Sequence, residues 1–190
     1  FRRHYKNVWS RLMGIPTLIS TNTASGDASV SITSGIDSTY DEYMFVYTDI
    51  DQSNDSSDFW FQCSTDSGSN YNITTTNTAF KVFHSEDDSQ TGLTYGTAED
   101  LAQSTSYTKL AYQLGNGADE SAAGILHLFN PSSTTYVKHF YARTNYYEYT
   151  NDSREWYTAG YFNTTSAIDA IQFDVANGTF SGTIQMYGIS

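Results

Sequence analysis

The sequence predicts an all-β fold, an antiparallel β-sandwich of the jelly-roll type, formed as a single domain with an extended N-terminal arm. The composition favours pleated strands and polar turns, because 16 Tyr, 11 Phe, 24 Ser and 25 Thr occur with only two Pro. Apolar and polar residues also alternate with a period of two along most of the chain. A chain of 190 residues suits one domain with one core.

Strand candidates follow one another at regular intervals from residue 18 onward. The clearest alternation places Ala28, Val30 and Ile32 on one face of residues 28–33, as in a half-buried strand. Residues 43–47 and 59–63 are denser in apolar side chains, as strands covered on both faces are. The other candidates are short and flanked by turn residues: 18–20, 80–84, 108–114, 125–129, 136–143, 155–162, 168–175 and 183–189. Many short strands separated by Gly, Asn, Asp and Ser are typical of sandwiches and jelly rolls.

The connections between these strands are predicted to be polar, and helix is nearly absent. Only residues 98–104 resemble a helical turn, and they are too few to form an independent helix. Long acidic loops are expected at residues 49–58, 85–92 and 115–121. Because such loops lie on the surface, we expect them to display any binding function.

Charge divides the chain into two parts, an arm at residues 1–16 and a body at residues 17–190. Four of the nine basic residues lie within the first eleven positions, where there is no Asp or Glu, whereas all 21 acidic residues follow. We expect a basic arm of this kind to bind a partner outside its own fold. Its cationic and apolar side chains are the predicted contacts: Arg2, Arg3, Lys6, Val8, Trp9, Arg11, Leu12 and Ile15.

Composition and motifs exclude several function classes. The acidic body makes nucleic acid an unsuitable partner, because phosphate binding needs clustered Lys and Arg. No apolar run is long enough for a membrane span, and the single Cys63 cannot form an intrachain disulfide. The chain also has no phosphate-binding loop, dinucleotide fingerprint, nucleophile elbow or zinc-binding spacing among its four His. We therefore expect a protein without enzymatic activity and without a cofactor.

Two acidic motifs are candidate binding sites. Residues 64–71 resemble the Asp box of sialidases, but the physical content of this pattern is a hairpin turn, closed by Asp66 and Gly68. Asp49, Asp51 and Asp55 offer carboxylates at alternate positions, as a calcium loop does. Since Gly and the bidentate Glu of an EF-hand are both missing, we predict no metal site and keep this loop only as a weak calcium candidate.

Histidine and aromatic side chains supply the remaining candidates. His127 and His139 lie in predicted strands, where a position on a sheet face is favoured over a catalytic role. Clustered aromatic residues could instead form a sugar-stacking surface, a protein interface or ordinary sheet packing. These residues are Tyr146, Tyr147, Tyr149, Trp156 and Tyr157.

Longer stretches of the sequence resemble a known group of proteins. Residues 18–25, 34–40, 128–136, 159–167 and 182–189 are similar to jelly-roll virion structural proteins of tailed bacteriophages, especially phages of aquatic bacteria. The similarity extends over most of residues 17–189. It implies a virion location and a decoration, cement or fibre role, and it carries over no catalytic residue.

The resemblance and the charge division together predict a capsid decoration or cement protein at the particle surface. In this hypothesis the arm docks on the major capsid protein or another virion protein, and the acidic sandwich faces solvent as a homotrimer. The alternative is a tail-fibre or head-fibre adhesin domain that binds a host surface glycan through its acidic loops and Tyr-rich surface. A glycan hydrolase would need two carboxylates facing each other across a cleft, and it ranks last.

Overall fold

Alternating side chains produce a structure made only of strands and their connections. The computed structural model describes residues 14–190, and this part of the chain contains thirteen strands and no helix. The strands are β1 (Thr17–Asp27), β2 (Ser29–Ile32), β3 (Glu42–Gln52), β4 (Ser57–Ser64), β5 (Thr75–Ser85), β6 (Thr91–Tyr95), β7 (Leu101–Ser104), β8 (Thr108–Leu114), β9 (Ala122–Phe129), β10 (Lys138–Glu148), β11 (Asp152–Phe162), β12 (Ala170–Val175) and β13 (Phe180–Ile189).

The strands form a sandwich of two antiparallel sheets of unequal size. The first sheet has the order β1-β13-β3-β9-β10-β11-β5, with β6 and β7 both paired to the far side of β5. The second sheet has the order β2-β12-β4-β8. The two sheets meet where Leu114 of β8 pairs with Glu148 of β10, so the sandwich is nearly closed. The predicted all-β antiparallel sandwich is therefore confirmed.

Aromatic rings from the facing strands fill the space between the sheets. Every second residue of a strand points inward. The inward rings of β3 therefore face the second sheet, and those of β4 face the first. The ring of Phe173 on β12 lies 5.7 Å from Phe45 and 6.0 Å from Phe59, measured between centroids. Phe61 reaches the first sheet at Phe140, with ring centroids 5.2 Å apart. These rings have almost no exposed surface.

Residues 98–104 form no independent helix, as expected for so short a segment; a turn is followed directly by a strand. A turn at residues 96–100 is closed by a bond from the Asp100 amide to the Gly96 carbonyl, after which Leu101 begins β7. The Leu101 amide donates to Asn77 Oδ1 at 2.8 Å, and β7 then pairs with the edge of β5. A neighbouring strand edge therefore overrides the weak local preference for helix, because it provides hydrogen-bond partners that an isolated turn lacks.

The loop predicted at residues 49–58 is much shorter in the structure. β3 continues to Gln52 and β4 begins at Ser57, which leaves only a tight turn between them. β3 accommodates an irregularity at Asp49, whose φ is 54°, and the pairing with β9 shifts register between Tyr47 and Ile50. This segment is polar because it is the bulged end of a strand. A bulge exposes consecutive residues, whereas a regular strand would bury every second one.

The inter-sheet rings should dominate the free energy of unfolding. We predict that Phe173→Ala lowers the free energy of unfolding by about 3–5 kcal/mol, because a large cavity opens among rings that cannot collapse into it. Phe80→Ala is the matched control, since this ring is 41% exposed and stacks on a single partner, Tyr157. Phe80→Ala should lower the free energy of unfolding by only about 0.5–1.5 kcal/mol. Urea denaturation measures both, and equal losses would contradict the described core.

Candidate functional site

A concave site with charged lining lies at the end of the sandwich where the smaller sheet no longer covers the first. Along the inward face of β5, burial decreases from Ala79, which is buried, to Lys81 and Phe83, which are half-buried. A cleft of about 500 Å³ opens here. Its floor is formed by inward residues of β5 and β11, and its walls by the turns at residues 86–90 and 149–151. We call it the Arg154 cleft.

Arg154 lies in the floor of this cleft within a group of buried charges. Its Nη2 atom is 3.0 Å from Glu148 Oε1 and 3.3 Å from Asp152 Oδ2. Glu148 is fully buried, and its Oε2 accepts a 2.8 Å hydrogen bond from the Thr150 amide in the β10–β11 turn. Arg154 itself is only 8% exposed, yet its Nε and Nη1 have no hydrogen-bond partner among the described residues. Burying such donors without an acceptor is costly.

Lys81 adds a second cation to the cleft and is held between aromatic rings. Its Nζ lies 5.8 Å from the ring centroid of Phe83 and 5.7 Å from that of Tyr112. Burial lowers the pKa of Lys81, and the nearby positive charge of Arg154 lowers this pKa further. A Cβ at Gly92 of β6 would come 2.7 Å from the Phe83 ring, so glycine leaves the room that this ring occupies.

The outward face of the first sheet carries a second candidate, an aromatic shelf formed by Phe80, Tyr141, Arg143 and Tyr157. The rings of Phe80 and Tyr157 stack with centroids 4.6 Å apart, and the Arg143 guanidinium lies 5.6 Å from the Tyr157 centroid. Arg143 also forms an ion pair with Glu155. The shelf borders a shallow depression of about 230 Å³. Exposed rings beside a polar group suit sugar stacking or protein contact.

The structure separates the aromatic cluster that the sequence suggested. Tyr146 and Trp156 are buried on the inward side of β10 and β11, and each polar atom has a backbone partner. Trp156 Nε1 donates to the Lys109 carbonyl at 3.1 Å, and the Tyr146 hydroxyl donates to the Tyr112 carbonyl at 2.8 Å. Sheet packing therefore accounts for these two residues. Of the five residues, only Tyr157 belongs to the aromatic shelf.

The Asp-box-like segment forms a closed turn, although it does not form a hairpin. Asp66 Oδ1 accepts hydrogen bonds from the Ser64 hydroxyl and the Asn70 amide, and Gly68 has a φ of 82°. The segment leaves β4 in the second sheet and leads toward β5 in the first, so it crosses between sheets. The turn prediction is correct and the hairpin prediction is wrong. Hydrogen bonds from Asn70 and Ser64 lower the pKa of Asp66 to about 2.

The calcium candidates and the histidines do not come together in a metal site. Asp49 and Asp51 are exposed residues of β3, and Asp55 is exposed in the following turn. Among residues 14–190, no group of three or more His, Cys, Asp or Glu is arranged to hold a metal ion. His127 lies on the outward face of β9, where it pairs with Glu42 and stacks on Tyr141 at 4.5 Å. His139 also projects from the outward face, as the sequence favoured.

Most of the predicted arm contacts lie outside the described residues. Ile15 is the exception, and its side chain is 78% exposed just before β1 begins at Thr17. The contacts that fall outside residues 14–190 are Arg2, Arg3, Lys6, Val8, Trp9, Arg11 and Leu12. Within the part of the chain that the structure describes, no helix is sufficiently long and apolar to cross a membrane.

Sequence reasoning missed the Arg154 cleft, although a signal for it is present. Asp152, Arg154 and Trp156 alternate along β11 and therefore share the inward face. Two charged residues that alternate in the same phase as a buried Trp share its face of the strand. This pattern indicates charges at the edge of the core. The cleft also includes Glu86 and Asp87, which the sequence indicated only as an acidic loop.

Comparisons with known proteins do not assign a family to the chain. No protein-family model matches it, and neither the curated proteins nor the solved structures give a significant match.

The depressed pKa of Asp66 predicts a stability change at acidic pH. Its folded pKa of about 2 lies below the ordinary value of 3.8, so its contribution is present above pH 4 and is lost as the pH falls toward 2. We expect Asp66→Asn to have a lower thermal midpoint than the wild type at pH 6 and a smaller difference from it at pH 2. Calorimetry across this range measures both proteins. A constant difference between them would contradict a special role for the Asp66 carboxylate.

Proposed function

We propose that this protein is a non-enzymatic virion structural protein, a capsid decoration or cement protein that attaches to the shell through its N-terminal arm. The observation that carries the proposal is the division of charge. Residues 2–11 contain four cations and no acid, whereas the remaining chain has five cations and 21 acids. A basic, apolar segment attached to a body of opposite charge is suited to docking on an acidic partner surface.

The described architecture is compatible with this role in two respects. The sandwich places its acidic residues mainly on turns and outward faces, so like charges keep separate bodies apart in solution. β1, where the body begins, is the edge strand of the first sheet, and it pairs with β13 alone. Residues 14–16 therefore precede an edge strand, and a segment attached at an edge can reach a partner without crossing the core. The major capsid protein is the proposed partner, and a homotrimer is the proposed assembly.

Deletion of residues 1–16 should abolish attachment and leave the sandwich folded, because the first strand within the described residues 14–190 begins at Thr17. We expect the full chain at hundreds of copies in each purified particle and the truncated chain near zero, measured by quantitative mass spectrometry. An unchanged thermal midpoint would show that the truncated body folds.

The charge of the arm is tested with two matched full-length variants. Changing the three arm arginines to Lys keeps the charge and should preserve the copy number. Changing the four arm cations to Glu should lower the copy number at least about tenfold, since like charges then oppose docking. Incorporation of the truncated chain at wild-type copy number would refute arm anchoring, and a wild-type value of a few copies would favour a fibre or tail location.

A second candidate function is that of a tail-fibre or head-fibre adhesin domain that binds a host surface glycan. The observation that favours it is the aromatic shelf, where the ring of Tyr141 is 46% exposed beside the stacked pair of Phe80 and Tyr157. A flat aromatic face can pack against the apolar face of a sugar ring, and Arg143 can donate to its hydroxyl groups.

Binding to a glycan array tests this candidate. If the shelf binds a glycan, the variant with both Tyr141→Ala and Tyr157→Ala should weaken binding about three- to tenfold or more. Tyr136→Ala is the matched control, because Tyr136 is equally aromatic and is 70% exposed away from the shelf. An equal effect of the shelf and control variants would argue against the shelf as the binding surface.

A further inference from the structure

We infer that the Arg154 cleft is a binding site for an uncharged carbohydrate, with Arg154 and Lys81 as hydrogen-bond donors and Phe83 as the apolar surface. The inference does not depend on the capsid-anchoring proposal. It gives the glycan-recognition candidate a site of its own, on the opposite face of the first sheet from the aromatic shelf.

The unpaired donors of Arg154 are the first reason to expect a ligand. More than nine-tenths of this residue is buried, and it lines the cleft, but only its Nη2 contacts the carboxylates of Glu148 and Asp152. Nε and Nη1 have no acceptor within residues 14–190. Both atoms are closed to solvent in this structure, so a ligand oxygen would reach them only after the Arg154 side chain turns toward the cleft. Since buried polar groups are nearly always hydrogen-bonded, that shift would pair donors that the protein leaves unpaired.

The balance of charge in the cleft determines which class of ligand can supply the oxygen. Lys81 and Arg154 bring two positive charges, whereas Glu86, Asp87 and Asp152 in the lining and Glu148 behind Arg154 bring four negative charges. An anionic ligand would add to this negative excess and be repelled. A cation would be attracted, but it offers no acceptor to the donors of Arg154. Hydroxyl groups carry no charge and can accept from the guanidinium while donating to a carboxylate, so a polyhydroxylated ligand meets both conditions.

The lining also matches the two-sided surface of a sugar ring. Phe83 is half-buried and faces the cleft, and its position beside Gly92 leaves its ring available as a flat apolar contact. Ser85, Ser89, Gln90 and Thr150 add uncharged polar groups around it. The volume of about 500 Å³ falls within the range of small-ligand sites and accommodates one or two sugar units.

The walls of the cleft are held in place before any ligand binds. The Glu86 amide donates to the Asn151 carbonyl at 3.0 Å, which joins the β5–β6 turn to the β10–β11 turn. The Ser85 hydroxyl donates to Asp152 Oδ1 at 2.7 Å, which fixes a carboxylate beside the floor. Asn151 has a φ of 68°, a conformation that Asn tolerates better than most residues. A site ordered in advance loses less entropy when it binds.

Titration of the ¹⁵N-labelled full chain with defined sugars tests the inference. The probes are glucose, galactose, mannose and N-acetylglucosamine, with glucuronate and galacturonate as charged counterparts. We expect at least one uncharged sugar to bind with a saturable, millimolar dissociation constant. Its binding should shift the Arg154 Nε–H resonance and the amide resonances of residues 85–90 and 149–151. The matching uronate should bind about tenfold more weakly or not at all.

Variants then assign binding to the cleft and distinguish it from the shelf. Phe83→Ala should weaken sugar binding about three- to tenfold. Lys81→Gln should also weaken sugar binding. Arg154→Gln should abolish the shift pattern, with the amide spectrum as the check that this variant folds. The control variant Tyr136→Ala, at a 70% exposed ring outside both the cleft and the shelf, should leave the dissociation constant unchanged, and the positions of the shifted resonances distinguish the cleft from the shelf.

Three results would overturn the inference. These are no saturable binding by any uncharged sugar, tighter binding of a uronate, or shifts confined to the aromatic shelf. The last result would support glycan recognition while rejecting the cleft. None of them affects the particle copy number, so failure of the cleft and failure of capsid anchoring are separate observations.

Discussion

Aromatic packing between two sheets of unequal size is the constraint on which the rest of this structure depends. The rings of Phe45, Phe59, Phe61 and Phe173 hold the sheets together and leave little surface exposed to water. Because the second sheet has only four strands, it covers only part of the first. The inward face of β5 and β11 therefore extends past the core, and the residues at this end must be polar or be covered by turns.

The charged group around Arg154 is a consequence of that geometry. Residues 152 and 154 keep the inward alternation of β11 past Trp156, and the cleft and its turn residues lie beside them. Burying an arginine with two carboxylates gives little net stability, because desolvation of the charges offsets their attraction. Two of its donors are left unpaired, and the binding site inferred above rests on them.

The two faces of the first sheet provide different recognition chemistry. The outward face presents the aromatic shelf, which is shallow and offers stacking with Arg143 as its principal cation. The inward face presents the Arg154 cleft, which is deeper and mixes donors, acceptors and one ring. The proposed arm precedes the edge strand β1, whereas the shelf and the cleft lie on strands β5, β10 and β11. The proposals for attachment and for recognition therefore concern different parts of the chain.

The sequence alone determined the fold class and most of the strands, because alternation with a period of two is a local property that burial of one strand face requires. Residues 43–47, 59–63 and 155–162 all lie in strands, and Asp66 and Gly68 close a turn as predicted. The uneven division of charge is equally a property of the sequence.

Only the tertiary structure decided where these elements meet, because strand pairing joins residues that are distant in the chain. It made residues 101–104 a strand on the edge of β5, and it placed the Asp66 turn between sheets. It also buried Trp156 and Tyr146, and it brought Lys81 of β5 beside Arg154 of β11. No local pattern predicts the approach of Lys81 to Arg154, since it depends on the register of two strands and on the length of the sheet that covers them.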